Sequence, residues 1–325
     1  MAKTAPETVE NFDPLFYRPC IFPILGELSY GTSITVNNGL KSGPYTTDFE
    51  MSISFFDDKG KHIVTSPVLA HLKPGDIIKL DTRDVLKDLK VKTKGNMLGV
   101  AHMVPTRFVG QKLVTVDPNE LKAHVGAADD FIEFRQEPKG VITGVAYQMG
   151  PQNDFRFNKT RTTLLQAPKA IVTPTVDTLF AVINPSTSLD YTDEAHMEYW
   201  LIDPAGKKVA RGEATVPAWT CRFISVRELL EKNNLLDSFI ADGGLGMILG
   251  LCRDAGLVPV SMTRNLETGA IACDHTLPPI YYFSTWGGQR RLEANTLLHE
   301  IVFGEDVIAD SLTPAGAKEL ADVSA

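Results

Sequence analysis

The sequence predicts an all-β fold of two tandem, homologous antiparallel β-sandwich or barrel-like modules, followed by a helical C-terminal tail. The first observation is an internal match. Residues 36–63 align with residues 182–209 without a gap, and nine of the 28 pairs are identical, where unrelated segments would share roughly two. The second observation is a series of short segments of alternating polarity separated by turn residues, which is typical of sandwiches and barrels.

The first module contains regularly spaced strand signals. Strands are predicted at 33–36, 49–55, 62–72 and 77–80. Strict alternation in the second of these puts four apolar side chains on one face: Phe49, Met51, Ile53 and Phe55. An Asp-x-x-Gly turn ends at Gly60, which we expect at positive φ because glycine has no Cβ. Asp81 or Thr82 is placed to cap a short helix that runs to Leu89.

The second module repeats this pattern. Strands are predicted at 179–183, 197–202, 209–216, 247–252, 257–263 and 270–273. Gly206 ends the matching Asp-x-x-Gly turn and is also expected at positive φ. Ser225 or a neighbour is placed to cap a helix over 226–232, and residues 265–269 are predicted to form a hairpin turn. The glycines at 243–246 are interpreted as a turn or bulge, since no long helix follows them.

These signals divide the chain into four parts. Residues 1–20 are predicted to be a polar leader that is partly disordered, because Asp-Pro and Arg-Pro pairs interrupt it. The first sandwich module covers 21–160 and the second covers 161–283. Residues 284–325 form the tail, in which 289–303 has the apolar spacing of a helix. This tail has no counterpart after the first module, so the repeat does not predict what it packs against.

Composition excludes several classes of protein. The net charge of -8 argues against a general nucleic-acid or anionic-membrane binder, because such proteins need a basic face. Four cysteines without a CxxC pair are too few for a disulfide scaffold and lack the spacing of zinc ligands. The first ten residues lack the apolar core of a signal peptide, and no stretch approaches the roughly 20 apolar residues of a membrane span. We therefore expect a cytoplasmic protein without membrane insertion, metal or cofactor.

The order of strands and turns resembles that of known modules. Residues 36–86 and 182–230 each contain a strand, an Asn-containing turn, an alternating strand, an Asp-x-x-Gly turn, a strand, a Pro turn and a strand. This pattern resembles tandem bacterial β-sandwich modules and is similar to the small cytosolic sensory-rhodopsin transducer family. The resemblance implies a single sandwich that forms oligomers and binds partners without catalysis. It covers about 50 residues of each copy and assigns no binding residue.

Catalytic motifs are sparse. His196 and Glu198 lie two residues apart on a predicted strand, so they project from the same face and are candidates for part of a polar or metal-binding site. Asp274 and His275 follow a strand end near the sheet rim and are the other catalytic candidates. The favoured interpretation is an exposed or hydrogen-bonded polar face. Nucleophile elbows, phosphate loops and dinucleotide fingerprints are absent from the sequence.

Aromatic residues late in the chain indicate a possible ligand surface. The candidates for binding are Trp219, Arg264, Tyr281, Tyr282 and Trp286. The aromatic members are typical of an apolar pocket or a partner surface, although a core with a lid over the sandwich end explains them as well. Arg264 matches Arg135 of the first module, and either an anion or a structural ion pair accounts for both.

The sequence therefore predicts a cytosolic binding or scaffold protein, forming homo-oligomers, which recognises a partner protein or a small apolar ligand. The alternative is an enzyme, of lyase, isomerase or hydrolase type, with a site in the second module or in the cleft between modules. Convergence of the catalytic candidates in one pocket would favour the enzyme, and their dispersal would favour the binding protein.

Overall fold

The computed structural model describes residues 8–275, apart from residues 29, 93–94, 128–129, 137–141, 147–162, 167–168 and 253. The chain divides into two compact units. One comprises Met1–Pro151 with Thr187–Tyr191, and the other comprises Gln152–Ser186 with Thr192–Ala325. The tail over 284–325 lies outside the described residues. No described helix is long and apolar enough to cross a membrane.

The first unit is built mainly from strands. In the described residues these are β1 (Val9–Phe12), β2 (Arg18–Ile24), β3 (Tyr30–Asn37), β4 (Phe49–Phe56), β5 (His62–Thr65), β6 (Ala70–Leu72), β7 (Ile77–Asp81), β8 (Met97–Pro105), β9 (Val114–Val116), β10 (Phe131–Gln136) and β11 (Ile142–Ala146). The helices are α1 (Thr82–Asp88) and α2 (Pro118–Gly126), and three 3-10 turns are η1 (Pro14–Phe16), η2 (Gly26–Leu28) and η3 (Thr106–Phe108).

The first unit contains a five-stranded sheet and a four-stranded sheet. The β4 sheet has the order β2-β8-β4-β5, with β6 also paired to β4, and the β3 sheet has the order β11-β10-β3-β7. All of their pairings are antiparallel. The inward side chains of β4 are fully buried, as the alternation predicts: Phe49, Met51, Ile53 and Phe55. Each contributes roughly 1.5–3 kcal/mol by leaving water.

The structure differs from the sequence prediction at residues 9–20. Instead of a polar leader, they form β1, η1 and the start of β2, and all seven residues of β2 are buried. Pro19 and Pro23 lie within β2, opposite His102 and Leu98 of β8. Proline cannot donate a hydrogen bond to a second neighbour, but β2 is an edge strand and needs only one neighbour. The prolines therefore mark an edge rather than a break.

The second unit repeats the arrangement. Its described strands are β12 (Thr163–Gln166), β13 (Ala170–Ile171), β14 (Val176–Ile183), β15 (Ala195–Ile202), β16 (Lys208–Val216), β17 (Cys221–Ser225), β18 (Leu245–Cys252), β19 (Val258–Asn265) and β20 (Ile271–His275), with helices α3 (Val226–Lys232) and α4 (Leu236–Ala241). The β15 sheet has the order β12-β18-β15-β16, with β13 on β18, and the β14 sheet has the order β17-β14-β19-β20. The shared core includes Phe180 of β14, Leu201 of β15 and Leu230 of α3.

The two units have the same strand order. β4 and β15 each lie between an apolar partner strand, β8 or β18, and an edge strand, β5 or β16. In the other sheet, β10, β3 and β7 correspond to β19, β14 and β17. The all-β class with antiparallel sheets is thus confirmed, and residues 36–63 and 182–209 occupy equivalent strands and turns.

Identical residues make identical hydrogen bonds in the two units. The Nδ2 of Asn38 donates to the backbone oxygens of Thr47 and Leu72, at 2.8 and 3.2 Å. The Nδ2 of Asn184 donates to those of Asp193 and Val216, at 2.9 and 2.8 Å. Each amide donates to one buried carbonyl group, of Leu72 or Val216, and to one part-buried group, of Thr47 or Asp193. The sequence identity therefore has a structural cause, which is the closing of the same turn.

The two Asp-x-x-Gly turns also match. The Oδ1 of Asp57 accepts from the backbone N–H groups of Lys59 and Lys61, both at 2.9 Å, and Asp203 accepts at 2.9 and 2.8 Å in the same pattern. Gly60 has φ 80° and Gly206 has φ 81°, which confirms the prediction of positive φ at both positions.

The predicted helix caps are confirmed as well. Asp81 precedes α1 and its side chain accepts from the N–H of Arg83, while Ser225 precedes α3 and accepts from that of Glu228. Such caps satisfy N–H groups that have no partner within the helix. Both helices end in the same way, since Lys90 and Asn234 have φ 56°, the left-handed conformation that commonly closes a helix.

Candidate functional site

His196 projects from the outer face of β15, on the opposite side from the core residue Met197. Its Nδ1 lies 2.8 Å from Oδ2 of Asp254, and its backbone N–H donates to Oδ1 of the same carboxylate at 3.1 Å. Its Nε2 lies 3.5 Å from Oε1 of Glu194. The hydrogen bond to Asp254 is the main reason that the pKa of His196 is raised. The imidazole is open to water, with 64% of the side chain exposed.

Glu198 shares this outer face but does not pair with His196. Its carboxylate forms an ion pair with Arg211 of β16 at 2.8 Å, and the same guanidinium reaches Glu213 at 3.0 Å. The His-x-Glu pattern thus predicts that His196 and Glu198 share a face. It does not predict their partners, which are Asp254 for His196 and Arg211 for Glu198. The partner of His196 comes from the connection after β18, 58 residues away, and no local pattern could have indicated it.

A tryptophan that was not among the sequence candidates lies next to this pair. The ring of Trp200 has Nζ of Lys208 at 5.1 Å and Cζ of Arg211 at 5.7 Å from its centroid, both within the range of cation–π attraction. The ring packs against the buried side chains of Ile202 and Leu249. Its Nε1 has no hydrogen-bond partner in the described part of the chain. The sequence could have indicated the orientation of Trp200, because residues two apart on a strand, such as Glu198 and Trp200, project from the same face.

Cys252 donates from Sγ to Oδ1 of Asp254 at 3.0 Å. Burial raises the pKa of this thiol far above neutrality, so it is not a nucleophile at neutral pH. Burial also works to raise the pKa of Asp254, but hydrogen bonds from Cys252 and His196 outweigh it and leave that pKa lowered. The carboxylate therefore stays charged and holds the imidazole.

The other catalytic candidates lie elsewhere in the second unit. Asp274 and His275 are on β20, opposite Ser261 and Val260 of β19, so they belong to the β14 sheet and not to the sheet of His196. Their side chains lie outside the described part of the structure. The structure does not place His196 and Glu198 on the same sheet as this second pair.

The binding candidates are also dispersed. Trp219 is 1% exposed, so it is part of the core, and its backbone N–H donates to the backbone oxygen of Asn184 at 2.8 Å. Arg264 lies on β19 opposite Asp177 of β14. Tyr281, Tyr282 and Trp286 lie outside the described residues.

In the first unit the outer face of the equivalent strand is covered. The positions that match His196 and Glu198 are Glu50 and Ser52 of β4. Above them, η1, η3 and the residues after η3 partly cover a cavity of about 170 Å³ that stays open on one side, which we call the roofed cavity. Its apolar lining includes Pro14, Leu15, Val68, Val104, Phe108 and Val109. Glu50 supplies a carboxylate, whose Oε1 lies 3.6 Å from Nδ1 of His71.

A buried histidine binds η1, which covers one side of the cavity. The Nδ1 of His102 on β8 lies 2.8 Å from the oxygen of Leu15 in η1, and its Nε2 lies 2.7 Å from Oγ of Ser54. The ring of Phe16 meets the imidazole edge-on, with centroids 5.4 Å apart. Burial lowers the pKa of His102 to about 4. The imidazole is therefore neutral at neutral pH and can donate from one nitrogen and accept at the other.

A second cluster binds η3, which also covers the cavity. Glu120 of α2 accepts hydrogen bonds from the hydroxyl of Tyr17 and from Arg107 in η3. The ring of Tyr17 lies 5.4 Å from that of His124 and 6.1 Å from that of Phe108, which lines the cavity. The roof is therefore tied both to the strands and to α2.

Metal chemistry has no evident location in this arrangement. Among the residues that the structure describes, no group of three or more histidine, cysteine, aspartate or glutamate side chains is placed to hold a metal ion. The cluster at His196 offers one imidazole with carboxylates on either side of it, which suits proton binding more than a closed coordination sphere.

Comparison with known proteins leaves the family open. No family model matches the chain, and no curated protein matches it. Among solved structures it is similar to a glycosyl hydrolase family 2 member from Bacteroides cellulosilyticus DSM 14838, with TM-score 0.18 and 11% identity over 80% of this chain and 28% of that one. A Bacteroides uniformis beta-glucuronidase gives TM-score 0.15 and 8% identity over 83% and 28%. The chain spans less than a third of either, and likeness at these TM-scores carries no argument.

Proposed function

We propose that the protein is a cytosolic binding protein, built by duplication of one sandwich module, and that its first unit captures a small apolar group in the roofed cavity. The observation that carries this proposal is the cavity of about 170 Å³ with its largely apolar lining. Sites for drug-sized ligands measure roughly 300–1,000 Å³. This cavity therefore suits one small ring, or one apolar side chain presented by a partner protein.

The charge of Glu50 adds selectivity. Its carboxylate is the acidic group in the lining, so a ligand with a neutral or positive polar end is favoured over one with a negative end. The rim supplies further apolar surface, because Val68 and Val109 are 46% and 44% exposed. Exposed apolar residues beside an apolar cavity are typical of a recognition site.

Non-catalytic binding fits the dispersal of the polar residues. The catalytic candidates do not converge with one another, and within the described residues the cavity lining contains no histidine or cysteine. The resemblance of the modules to the sensory-rhodopsin transducer family supports the same choice, because that family implies partner binding. The free thiols of Cys20, Cys221 and Cys252 are compatible with a reducing compartment.

A methyl group on the cavity face provides the test. Val104 lines the cavity and lies directly opposite Glu50 on the neighbouring strand, so its labelled methyl signals in an NMR spectrum report occupancy. Three probes share one ring and differ in charge: cyclohexylamine, cyclohexanol and cyclohexanecarboxylate. We expect the amine and the alcohol to shift the Val104 signals at millimolar concentration, and the carboxylate to shift them less. Val104 signals that none of the three probes moves would contradict the proposal.

Two matched variants locate the binding. Ser52→Phe fills the cavity and should abolish the Val104 response. Glu198→Phe makes the same aromatic substitution at the equivalent position of β15, where the side chain is exposed, and should leave the response intact. If both variants respond alike, the probes are not binding in the roofed cavity.

One observation favours an enzyme as a second candidate. Asp254 orients His196 through Nδ1, which is how a carboxylate positions a general base in hydrolases. If His196 acts this way, the protein should cleave 4-nitrophenyl acetate faster than a His196→Ala variant and an Asp254→Asn variant. His71→Ala removes an equally exposed imidazole, with 72% of its side chain open, and serves as the control. Equal losses at His71 and His196 would reject this candidate.

A further inference from the structure

The edge strand of the β15 sheet is long and continuous in the second unit. β16 runs over Lys208–Val216 and, among the described residues, pairs with β15 alone. The corresponding edge of the first unit is interrupted. There β5 and β6 are separated around Pro67, and the Oγ of Ser66 takes the place of a strand partner for the N–H of Ile53. Proline and interruptions protect an edge from pairing with another chain. β16 has no proline, its one irregularity lies at its start between Lys208 and Ala210, and it is regular from Ala210 to Val216.

The sequence of β16 is complementary to itself in the antiparallel direction. If Gly212 faces Gly212 of a second copy, then Arg211 faces the partner's Glu213, and Glu213 faces the partner's Arg211. Both side chains lie on the outer face, because Arg211 is opposite Trp200 and Glu213 is opposite Glu198 in the register with β15. Opposite charges at directly facing positions stabilise antiparallel pairs, and like charges destabilise them.

The side chains on the inward face of β16 are small enough to let a second copy of β16 pair with it. Ala210, Gly212 and Ala214 face the core in register with Leu201, Tyr199 and Met197. A Cβ on Gly212 would lie 2.3 Å from the ring of Tyr199, so the aromatic ring requires glycine at the centre of the strand. In the same antiparallel register Ala210 faces the partner's Ala214, so no large side chain stands between the two edges.

We propose that β16 pairs antiparallel with β16 of a second copy of this chain, with the two-fold axis at Gly212. The pairing joins two β15 sheets into one continuous sheet across the dimer. It is an isologous contact, so each favourable pair occurs twice. Main-chain hydrogen bonds supply the attraction, and the two Arg211–Glu213 pairs select this register over those in which like charges meet.

Charge reversal gives a test that depends on the register. In Arg211→Glu, both facing pairs become glutamate against glutamate, and in Glu213→Arg both become arginine against arginine. Each variant alone should dissociate at least about tenfold more readily than the wild type, as measured by sedimentation. A one-to-one mixture of the two variants restores both opposite-charge pairs and should form a heterodimer as tight as the wild-type dimer. The double variant R211E/E213R should also dimerise.

Controls separate the edge from general charge effects. Lys59→Glu and Asp58→Arg make the same changes of charge in the exposed turn of the first unit and should leave dimerisation unchanged. Thermal unfolding of each variant checks that the second unit remains folded. A wild type that stays monomeric at millimolar concentration overturns the proposal. So does a dimer that both single variants preserve, or a mixture that fails to associate, because the charges of β16 would then only be solvated.

Discussion

The outer faces of β4 and β15 occupy the same place in two sheets of the same strand order. The face is covered at Glu50 and Ser52 of β4, yet it is open at the matching positions of β15, His196 and Glu198. Glu50 and Ser52 lie in the lining of a cavity, while His196 and Glu198 reach water and bind charged neighbours. The strands themselves do not differ in topology. The difference comes from η1 and η3, which precede and follow the β4 sheet strands and lie above them. The comparison teaches that, in two units with the same strand order, the connections between strands determine which residues of the outer face are exposed.

The two units can be followed separately in solution. All three tryptophans, at positions 200, 219 and 286, lie in the second half of the chain. Tryptophan fluorescence during urea unfolding therefore reports the second unit, and far-UV circular dichroism reports both. Because two units can unfold in separate transitions, each variant below is compared within its own transition.

We expect the largest difference in stability between a variant that breaks a buried ion pair and one that breaks an exposed ion pair. Arg18 and Asp130 lie 2.6 Å apart with side chains only 3% and 4% exposed, and Asp130→Asn leaves the guanidinium buried without its counter-charge. We expect the free energy of unfolding of the first unit to fall by about 3–5 kcal/mol. Glu198→Gln breaks the exposed pair with Arg211 and should cost less than about 1 kcal/mol. Equal costs would show that the first unit does not shield Arg18 from water.

The next prediction contrasts two histidines whose pKa values are displaced in opposite directions. Burial lowers the pKa of His102 to about 4, so the unfolded chain binds a proton near pH 6.5 and the folded chain does not. The stability of the first unit should therefore fall as the pH drops from about 6.5 to 4, by about 3 kcal/mol. His102→Gln, measured by the same unfolding experiment across that range, should lack this contribution.

His196 should show the opposite sign. Its pKa is raised by its bond to Asp254, so its contribution to stability is complete below about pH 6.5 and is lost as the pH rises through the folded value. His196→Gln should remove that dependence from the fluorescence transition of the second unit. A pH dependence of the same sign in both units would contradict the assignment of these two imidazoles.

Equivalent positions should respond equally where the units share a hydrogen bond. Asn38→Ala and Asn184→Ala each remove one donor from a buried carbonyl group and one from a part-buried carbonyl group. We expect each substitution to destabilise its own unit by about 2 kcal/mol, because unsatisfied buried acceptors are costly. Circular dichroism and fluorescence transitions measure the two effects. A large effect at one asparagine and none at the other would break the equivalence of the two turns.

The smallest effect concerns the turn glycines. Gly206 has φ 81°, and no atom lies within 4 Å of a Cβ built on it. Gly206→Val should therefore cost about 1–2 kcal/mol through backbone strain alone and not through a clash. Gly206→Asn should cost less, because asparagine tolerates this conformation. Equal denaturation midpoints for wild type and Gly206→Val would remove strain as the reason for glycine.

Much of the fold was predictable because its signals are local. Alternation in residues 49–55 identifies the buried face of β4, and Ser225 identifies the start of α3. The sequence does not predict strand β2, because proline usually interrupts a strand. Pro19 and Pro23 are tolerated there because β2 is an edge strand, and the position of a strand in its sheet is not a local property. The break between β5 and β6 was missed for a related reason, since one apolar stretch bridges two strands.

The candidate site was predictable only in part. The spacing of His196 and Glu198 fixes a shared face, but Asp254 arrives from another strand connection and Arg211 from the neighbouring strand. The roofed cavity depends on η1 and η3, which are separated by most of the first unit. Contacts of this kind are determined by tertiary packing, so they cannot be predicted from local patterns in a single sequence.

The connection between β8 and β10 differs most between the units, and it has a practical consequence. In the first unit it contains η3, β9 and α2, whereas in the second the chain passes directly from β18 to β19 and presents Asp254 on the way. Lengthening a surface connection costs little free energy, because closure entropy grows slowly with length. The β18–β19 connection is therefore a natural graft site. Transplanting residues 106–130 there would carry half of a roof to the open face and begin to convert one unit's surface into the other's.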